Sequence, residues 1–187
     1  MIWNWFLKRR SILELLRQVA AGLPLKEVRV HRLPSPTVAG EYFGFPLVLE
    51  GSRKKEGYRF LATVALPQKL SGRIFLMHER RKASFKPVAS LKWVTTTHAR
   101  FNQNYLLLAS DEARGQAVFQ NYLCGRITAL PVFEWEMDIH GEAAHFEILE
   151  PRLNASQLCE VLKMGVEVLN AVLVAEAVKP EGQKEQG

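Results

Sequence analysis

The sequence contains little cysteine and no long apolar run, and each shortage excludes a class of protein. Its 187 residues include two cysteines, Cys124 and Cys159, which form no Cys-x-x-Cys motif. A disulfide-stapled scaffold and a zinc-finger ligand set are therefore excluded, and a reducing compartment such as the cytoplasm is favoured. Because no stretch of about 18 consecutive apolar residues occurs, we expect no membrane-spanning helix.

The motifs of several common enzyme classes are also missing. The chain has no glycine-rich phosphate loop, dinucleotide-binding fingerprint, nucleophile elbow or His-Glu-x-x-His pair. These chemistries need their residues at fixed spacing, so we predict a non-enzymatic protein with no catalytic residues, no cofactor and no metal. The alternative is a small-ligand binder or an enzyme whose pocket forms between a sheet and helices from residues distant in sequence.

Charge is abundant and unevenly distributed along the chain. The net charge is +6, yet residues 1–100 contain 19 Lys/Arg and 6 Asp/Glu whereas residues 101–187 contain 6 and 13. Either an anionic partner binds the basic part, or the two parts neutralise each other in the fold, which is the interpretation we favour. Nucleic acid is a third alternative. The aromatic residues speak against it, because they alternate with apolar neighbours as in a core.

Hydrophobic periodicity predicts a single α+β domain. Ser11 and Glu14 form a capping box before a helix over 12–21, and breakers separate short alternating runs between 26 and 110. A middle helix over 111–124 follows, and apolar residues at three- and four-residue spacing predict a long helix from 154–156 to about 178. We therefore expect an antiparallel β-meander with an N-terminal, a middle and a long C-terminal helix packed on it.

A β-hairpin over residues 132–149 has the clearest strand pattern. A turn at His140-Gly141 would pair Met137 with Ala144, Trp135 with Phe146 and Phe133 with Ile148. The opposite face would then place Glu134 opposite Glu147 and Glu136 opposite His145, and such like-charged neighbours need compensation. A bound cation would supply it. We favour solvation or internal partners such as Arg59, Arg73 or Lys92 and predict no metal site.

The N-terminal segment, residues 1–10, has the composition of an interfacial anchor. Trp3, Trp5, Phe6 and Leu7 directly precede the cations Lys8, Arg9 and Arg10. Interfacial tryptophan beside cations is typical of peripheral binding to an anionic membrane. Packing against a partner protein or the domain's own core is the alternative. The predicted organisation is this segment, one domain over 11–178 and a flexible tail over 179–187.

Two predicted loops are strongly basic. They are Arg53-Lys54-Lys55 and Arg80-Arg81-Lys82, and two predicted strands separate them, so an antiparallel meander would place both at the same end of the sheet. Together with the N-terminal segment they would form a surface for an anionic partner. The competing explanation is that charged hairpin tips only maintain solubility.

The order of these pieces also resembles a known group of proteins. The stretch Gly40–Leu47, a strand meander, Phe101–Leu108, a helix and the hairpin around Ile139–Gly141 resemble the soluble domain of uncharacterised bacterial membrane-associated proteins over residues 25–175. The resemblance implies no catalytic residues. It implies a bacterial protein that works at a membrane. The N-terminal segment and the basic loops lead us to expect a non-enzymatic accessory or adaptor protein on the cytoplasmic side, docked to anionic lipid or to a membrane protein complex.

Overall fold

In the part of the chain that the structure describes, the fold is a nine-stranded antiparallel sheet with α-helices on one face and a 3₁₀ helix on the other. A computed structural model describes residues 2–31, 35–54, 57–86, 88, 90–130, 134–150 and 154–178; side chains are not described at 2–11, 27, 83, 84 and 150. The predicted α+β class is confirmed.

The elements follow one another in this order: α1 Ile2–Gly22, β1 Lys26–His31, β2 Thr37–Tyr42, β3 Phe45–Lys54, β4 Gly57–Ala65, β5 Arg73–His78, a 3₁₀ helix Glu79–Ser84, β6 Lys92–Trp93, α2 Ala99–Asn104, β7 Tyr105–Ala109, α3 Glu112–Val118, α4 Asn121–Thr128, β8 Glu134–His140, β9 Ala143–Glu150 and α5 Ala155–Ala177. Within the described part of the chain, no helix is both long and apolar enough to span a bilayer.

The first four strands form a meander, as predicted, but the β8–β9 hairpin is then inserted in the middle of the sheet. The strand order is β1-β2-β3-β4-β9-β8-β5-β7-β6, and every neighbouring pair is antiparallel. The hairpin therefore joins β4 to β5 across the centre of the sheet. Its central position explains its strict alternation, since one face packs against the α-helices and the other carries the charged side chains.

The hairpin register differs from the prediction by two residues. Met137 pairs with Phe146 and Trp135 with Ile148, because the turn lies at Gly141-Glu142 and not at His140-Gly141. Gly141 supplies the left-handed backbone of that turn, with φ of 58°. A two-residue shift preserves the face of every side chain, so the predicted faces are correct while the predicted pairs are wrong. Phe133 lies outside the described residues.

Helix α1 begins ten residues earlier than predicted. The capping-box pattern at Ser11 and Glu14 lies inside a helix that starts at Ile2, whereas the predicted end is correct to one residue. The second half of α1 buries Ile12, Leu16 and Val19 in the main core. The N-terminal segment is therefore continuous in backbone with a core helix.

The middle of the chain contains three short helices where one was predicted. The expected helix over 111–124 is interrupted at Phe119, which leaves helical geometry with φ −92° and ψ 61°, and α4 continues beyond Gly125 to Thr128. Phe119 is fully buried beside Phe101 of α2, and this packing favours the break. Helix α2 and the 3₁₀ helix Glu79–Ser84 were not predicted.

Helix α5 confirms the predicted C-terminal helix. Asn154 and Gln157 form a capping box, and the predicted apolar stripe is buried along the helix. At Gly165 the helix approaches Phe146 of β9 so closely that a Cβ atom would lie 2.4 Å from the ring. Sheet and α-helices thus meet in the main core, and a smaller cluster of Phe75, Met77, Leu91 and Leu108 is separate from it. The predicted tail, 179–187, lies outside the described residues.

Candidate functional site

The two basic loops lie at the same end of the sheet, as the strand count predicted. The strand registers place the β3–β4 turn beside Glu150, and the end of β5 beside Glu136 and the start of β7. We call this end of the sheet, with the β3–β4 turn and the start of the 3₁₀ helix, the basic end. Lys55 lies outside the described residues.

Helix α1 points its N-terminal half toward the basic end. Leu25, just after the helix, contacts Gly40 at the middle of β2, while Ile12 contacts Gly51 near the end of β3. From Gly51 to Lys54 the strand covers about 10 Å, whereas the ten helical residues before Ile12 cover about 15 Å. The backbone of residues 2–11 therefore extends to the basic end and beyond it. The side chains of Trp3, Trp5, Phe6, Leu7, Lys8, Arg9 and Arg10 lie outside the described part of the structure.

The predicted anion-binding residues have two different environments. Arg53, Lys54, Arg80 and Lys82 are exposed at the basic end, in agreement with a surface role. Arg81 instead turns onto the outer face of the sheet, where its side chain is only 11% exposed. It is thus a structural cation within the fold.

Arg81 joins two carboxylates that lie opposite each other on β8 and β9. Its Nη2 is 3.1 Å from Glu147 Oε1 and 3.3 Å from Glu136 Oε2, and Glu136 and Glu147 are cross-strand partners. Arg59 of β4 adds a 2.6 Å hydrogen bond to the other oxygen of Glu147. On the same face Arg73 donates two hydrogen bonds to Asp138, at 2.8 and 2.6 Å.

The two facing carboxylates differ in proton affinity because their environments differ. Burial raises the pKa of Glu136, and the nearby charge of Arg81 only partly opposes that effect. Burial acts in the same direction on Glu147, but its hydrogen bonds to Arg59 and Arg81 outweigh it, and the pKa of Glu147 is lowered. Glu147 is therefore the firmly ionised partner, and Glu136 takes up a proton more readily.

Internal arginines supply the compensation that the sequence left open. Arg59 and Arg73 act as predicted, whereas Lys92 lies at the far edge of the sheet on β6, opposite Ala109. Among the described residues, no group of three or more His, Cys, Asp or Glu side chains is arranged to hold a metal ion. The arginines come from the basic part of the chain and these carboxylates from the acidic part. The charge asymmetry is therefore partly neutralised within the fold.

A cleft of about 480 Å³ opens at the basic end, beside the 3₁₀ helix. Three separate stretches of chain form its walls: the end of β5, helix α2 with the start of β7, and the end of α4. Its lining residues are His78, Glu79, Arg80, Arg100, Asn104, Tyr105, Thr128 and Leu130. Local sequence patterns predicted the basic character of Arg80 but not this cleft, since its three walls are separated from one another by about 20 residues or more of chain.

Histidine side chains set the local geometry of two of these walls. His78 Nδ1 accepts a hydrogen bond from the backbone N–H of Arg80 at 3.2 Å and so caps the 3₁₀ helix. His98 Nδ1 accepts from the backbone N–H of Phe101 at 3.1 Å and caps α2. Each histidine thereby fixes the first turn that presents an arginine, Arg80 or Arg100, to the cleft.

Comparison with known proteins identifies a similar fold. No protein-family model matches the chain, and no curated protein matches it by sequence. Among solved structures, the fold is similar to the crystal structure of the mycobacterial trehalose monomycolate transport factor A, TtfA, with a TM-score of 0.61 and 11% sequence identity. The match covers 89% of this chain and 96% of that one. At this identity the comparison establishes the shared fold and nothing more.

Proposed function

We propose that the protein is a non-enzymatic accessory or adaptor protein that binds an anionic membrane surface through its N-terminal segment and its basic end. The observation that carries the proposal is the course of α1. One continuous helix connects the apolar and basic residues 2–10 to the core, and it runs toward the end of the sheet where Arg53, Lys54, Arg80 and Lys82 are exposed.

The chemistry of the N-terminal segment suits a lipid interface. Tryptophan side chains prefer the headgroup region, and a cation near an anionic leaflet contributes about 1 kcal/mol. Lys8, Arg9 and Arg10 together would therefore strengthen binding by roughly 100-fold. Arg53 and Lys54 lie at the same end of the molecule and would add to this attraction.

The structural similarity supports an accessory role indirectly. The similar structure is that of a protein named as a transport factor. That name describes a factor in transport and not an enzyme. For this chain we propose a bacterial protein at the inner face of the membrane. There it would contact lipid directly and assist a membrane protein complex.

Co-sedimentation with lipid vesicles tests the proposal. The full chain should pellet with vesicles of phosphatidylglycerol and phosphatidylcholine, and much less with phosphatidylcholine alone. Replacing Trp3 and Trp5 together by Ala should weaken binding by about tenfold or more, because both side chains would leave the interface. Rising salt should also weaken binding.

Trp93→Ala provides the matched control. Trp93 is 53% exposed on the edge strand β6, so its loss removes a surface tryptophan without disturbing the core. We expect this variant to bind vesicles as strongly as the wild-type protein does. If neither the wild-type protein nor the two variants pellet with vesicles, the lipid proposal is refuted. The N-terminal segment would then be assigned to a protein contact.

A further inference from the structure

The cleft at the basic end contains two cations that have no ion-pair partner among the described side chains. Arg59, Arg73 and Arg81 each meet a carboxylate on the outer face of the sheet. By contrast, no described carboxylate lies within ion-pair distance of the guanidinium groups of Arg80 and Arg100, although Glu79 also lines the cleft. Two guanidinium groups that line one cleft from separate elements form a common setting for anion recognition.

His78 adds a neutral donor to the same cleft. Because its Nδ1 accepts the hydrogen bond from the Arg80 backbone, the ring proton is on Nε2. Burial and the charge of Arg80 lower the pKa of His78, while Glu134 and Glu79 partly oppose that shift. The ring packs edge-on against Tyr105, with centroids 5.2 Å apart. A neutral histidine can donate a hydrogen bond without adding charge, so the positive charge of the cleft comes from Arg80 and Arg100.

The remaining lining groups suit a polar, partly apolar ligand. Asn104 contributes an amide to the lining and Leu130 an apolar surface. The hydroxyl groups of Tyr105 and Thr128 already donate hydrogen bonds to backbone carbonyls, those of Ile127 and Gly125. The volume of about 480 Å³ lies within the range of ordinary small-ligand sites. The cleft opens at the end toward which α1 directs the N-terminal segment.

We propose that this cleft binds the phosphate of an anionic lipid headgroup, with Arg80 and Arg100 as the two cationic ligands and Asn104 and His78 as additional donors. The assignment rests on the proposed membrane function, because the position of the cleft at the basic end selects a lipid over a free anion. The cleft would then distinguish among headgroups, while the N-terminal segment would supply affinity for the membrane.

Soluble short-chain lipids separate headgroup binding from membrane binding. The full chain is titrated with dihexanoyl phosphatidic acid, dihexanoyl phosphatidylcholine and inorganic phosphate, below micelle-forming concentrations. Amide shifts of Arg80, Arg100 and Asn104 are followed by NMR. We expect saturable shifts with the anionic lipid, binding at least about tenfold weaker with inorganic phosphate, and none with the choline lipid.

The double variant Arg80→Gln, Arg100→Gln should lose about tenfold or more in affinity for dihexanoyl phosphatidic acid, since each charged hydrogen bond contributes substantially. The control Lys69→Gln, Lys92→Gln removes two exposed cations at the opposite end of the sheet, and should change that affinity less than twofold. An equal loss in both variants, or none in the first, would overturn the proposal by showing diffuse attraction or binding elsewhere.

The two proposals fail in distinguishable ways. Vesicle binding by the full chain without any short-chain lipid binding would refute the headgroup site and leave the membrane function intact. Short-chain lipid binding without vesicle binding would support the site and refute the membrane function. Inorganic phosphate that binds as tightly as the lipid would overturn the lipid assignment in favour of a free anion.

Discussion

Glu136 and Glu147 face each other directly across β8 and β9, and the same Nη2 atom of Arg81 lies within 3.3 Å of both. Two like charges in this position would repel each other in an isolated hairpin. Arg81, which lies more than 50 positions earlier in the chain, therefore offsets the repulsion between the two carboxylates of the central strand pair. This relationship predicts unequal roles for the two carboxylates.

Replacement of the two glutamates should have opposite effects on stability. Glu147→Gln removes the ionised acceptor of Arg59 and Arg81, and we expect a loss of about 2 kcal/mol in the free energy of unfolding. Glu136→Gln removes a carboxylate that burial disfavours, so stability at neutral pH should be unchanged or increased by up to about 1 kcal/mol. Urea unfolding followed by tryptophan fluorescence measures both.

The pH dependence of unfolding provides a second test of the pair. The raised pKa of Glu136 means that the native state binds this proton more readily than the unfolded state, so its contribution to stability grows as pH falls through the folded pKa. Glu147 has the opposite sign: its stabilisation is present above its unfolded pKa and is lost as pH falls through the lowered folded pKa. Any advantage of Glu136→Gln should therefore shrink on acidification. An advantage that grows would contradict this assignment.

Arg81 should be a stability residue, unlike its neighbour Lys82. Arg81→Gln leaves Glu136 and Glu147 opposed with one cation fewer, and we expect a loss of about 2 kcal/mol. Lys82→Gln changes an exposed side chain and should stay within about 0.5 kcal/mol of the wild type. Thermal unfolding of the two variants compares them directly. Equal melting temperatures would show that Arg81 contributes no more than a solvated surface charge.

The ion pair between Arg114 and Glu176 should anchor the end of α5 to α3. Both side chains are nearly buried, 8% and 13% exposed, and Glu176 also accepts a 2.7 Å hydrogen bond from the Ser71 hydroxyl. Glu176→Gln would leave the charge of Arg114 buried without its carboxylate partner. We therefore expect it to lower the free energy of unfolding by about 3 kcal/mol. Glu160→Gln, at an exposed position of the same helix, is the control and should be close to neutral in chemical denaturation.

Gly165 should resist substitution because α5 touches the sheet there. An alanine Cβ would lie 2.4 Å from Phe146 Cε1, and Phe146 is itself fully buried. In an open helix the same change would gain up to about 1 kcal/mol, whereas here we expect a loss of about 1–3 kcal/mol from overpacking. Equilibrium unfolding of Gly165→Ala decides the sign. A stabilised variant would mean that the Phe146 ring moves aside without cost.

Local patterns predicted most elements but not their neighbours in space. Alternation identified the faces of Trp135 and Met137 correctly, because period two depends only on which side is buried. It did not determine the register, since a shift of two residues buries the same side chains. Likewise, the capping-box pattern at Ser11 describes a local hydrogen-bonding option, which the continuation of α1 back to Ile2 overrides.

The cleft and the cation network were the least predictable parts of the molecule. Arg80 and Arg81 are adjacent in one basic cluster, yet one lines a cleft and the other pairs with carboxylates on the sheet. Composition cannot separate such neighbours, because the distinction depends on β8 and β9, which lie more than 50 residues away in sequence. Arg59 and Arg73 were predicted as partners because they are cations of the basic strands, and the same reasoning also named Lys92, which lies at the far edge of the sheet.

The insertion of the β8–β9 hairpin between β4 and β5 has a consequence for the order in which the protein can fold. During synthesis, β4 and β5 emerge long before residues 134–150, so each presents an unpaired strand edge until the hairpin has been made. The pairing of Phe60 with Ile148 closes a loop of nearly 90 residues, and such long-range contacts fold slowly. Arg59 and Arg73 also lack their carboxylate partners during this interval. A nascent chain stalled before the hairpin should therefore be both aggregation-prone and strongly cationic, and a natural client for chaperones.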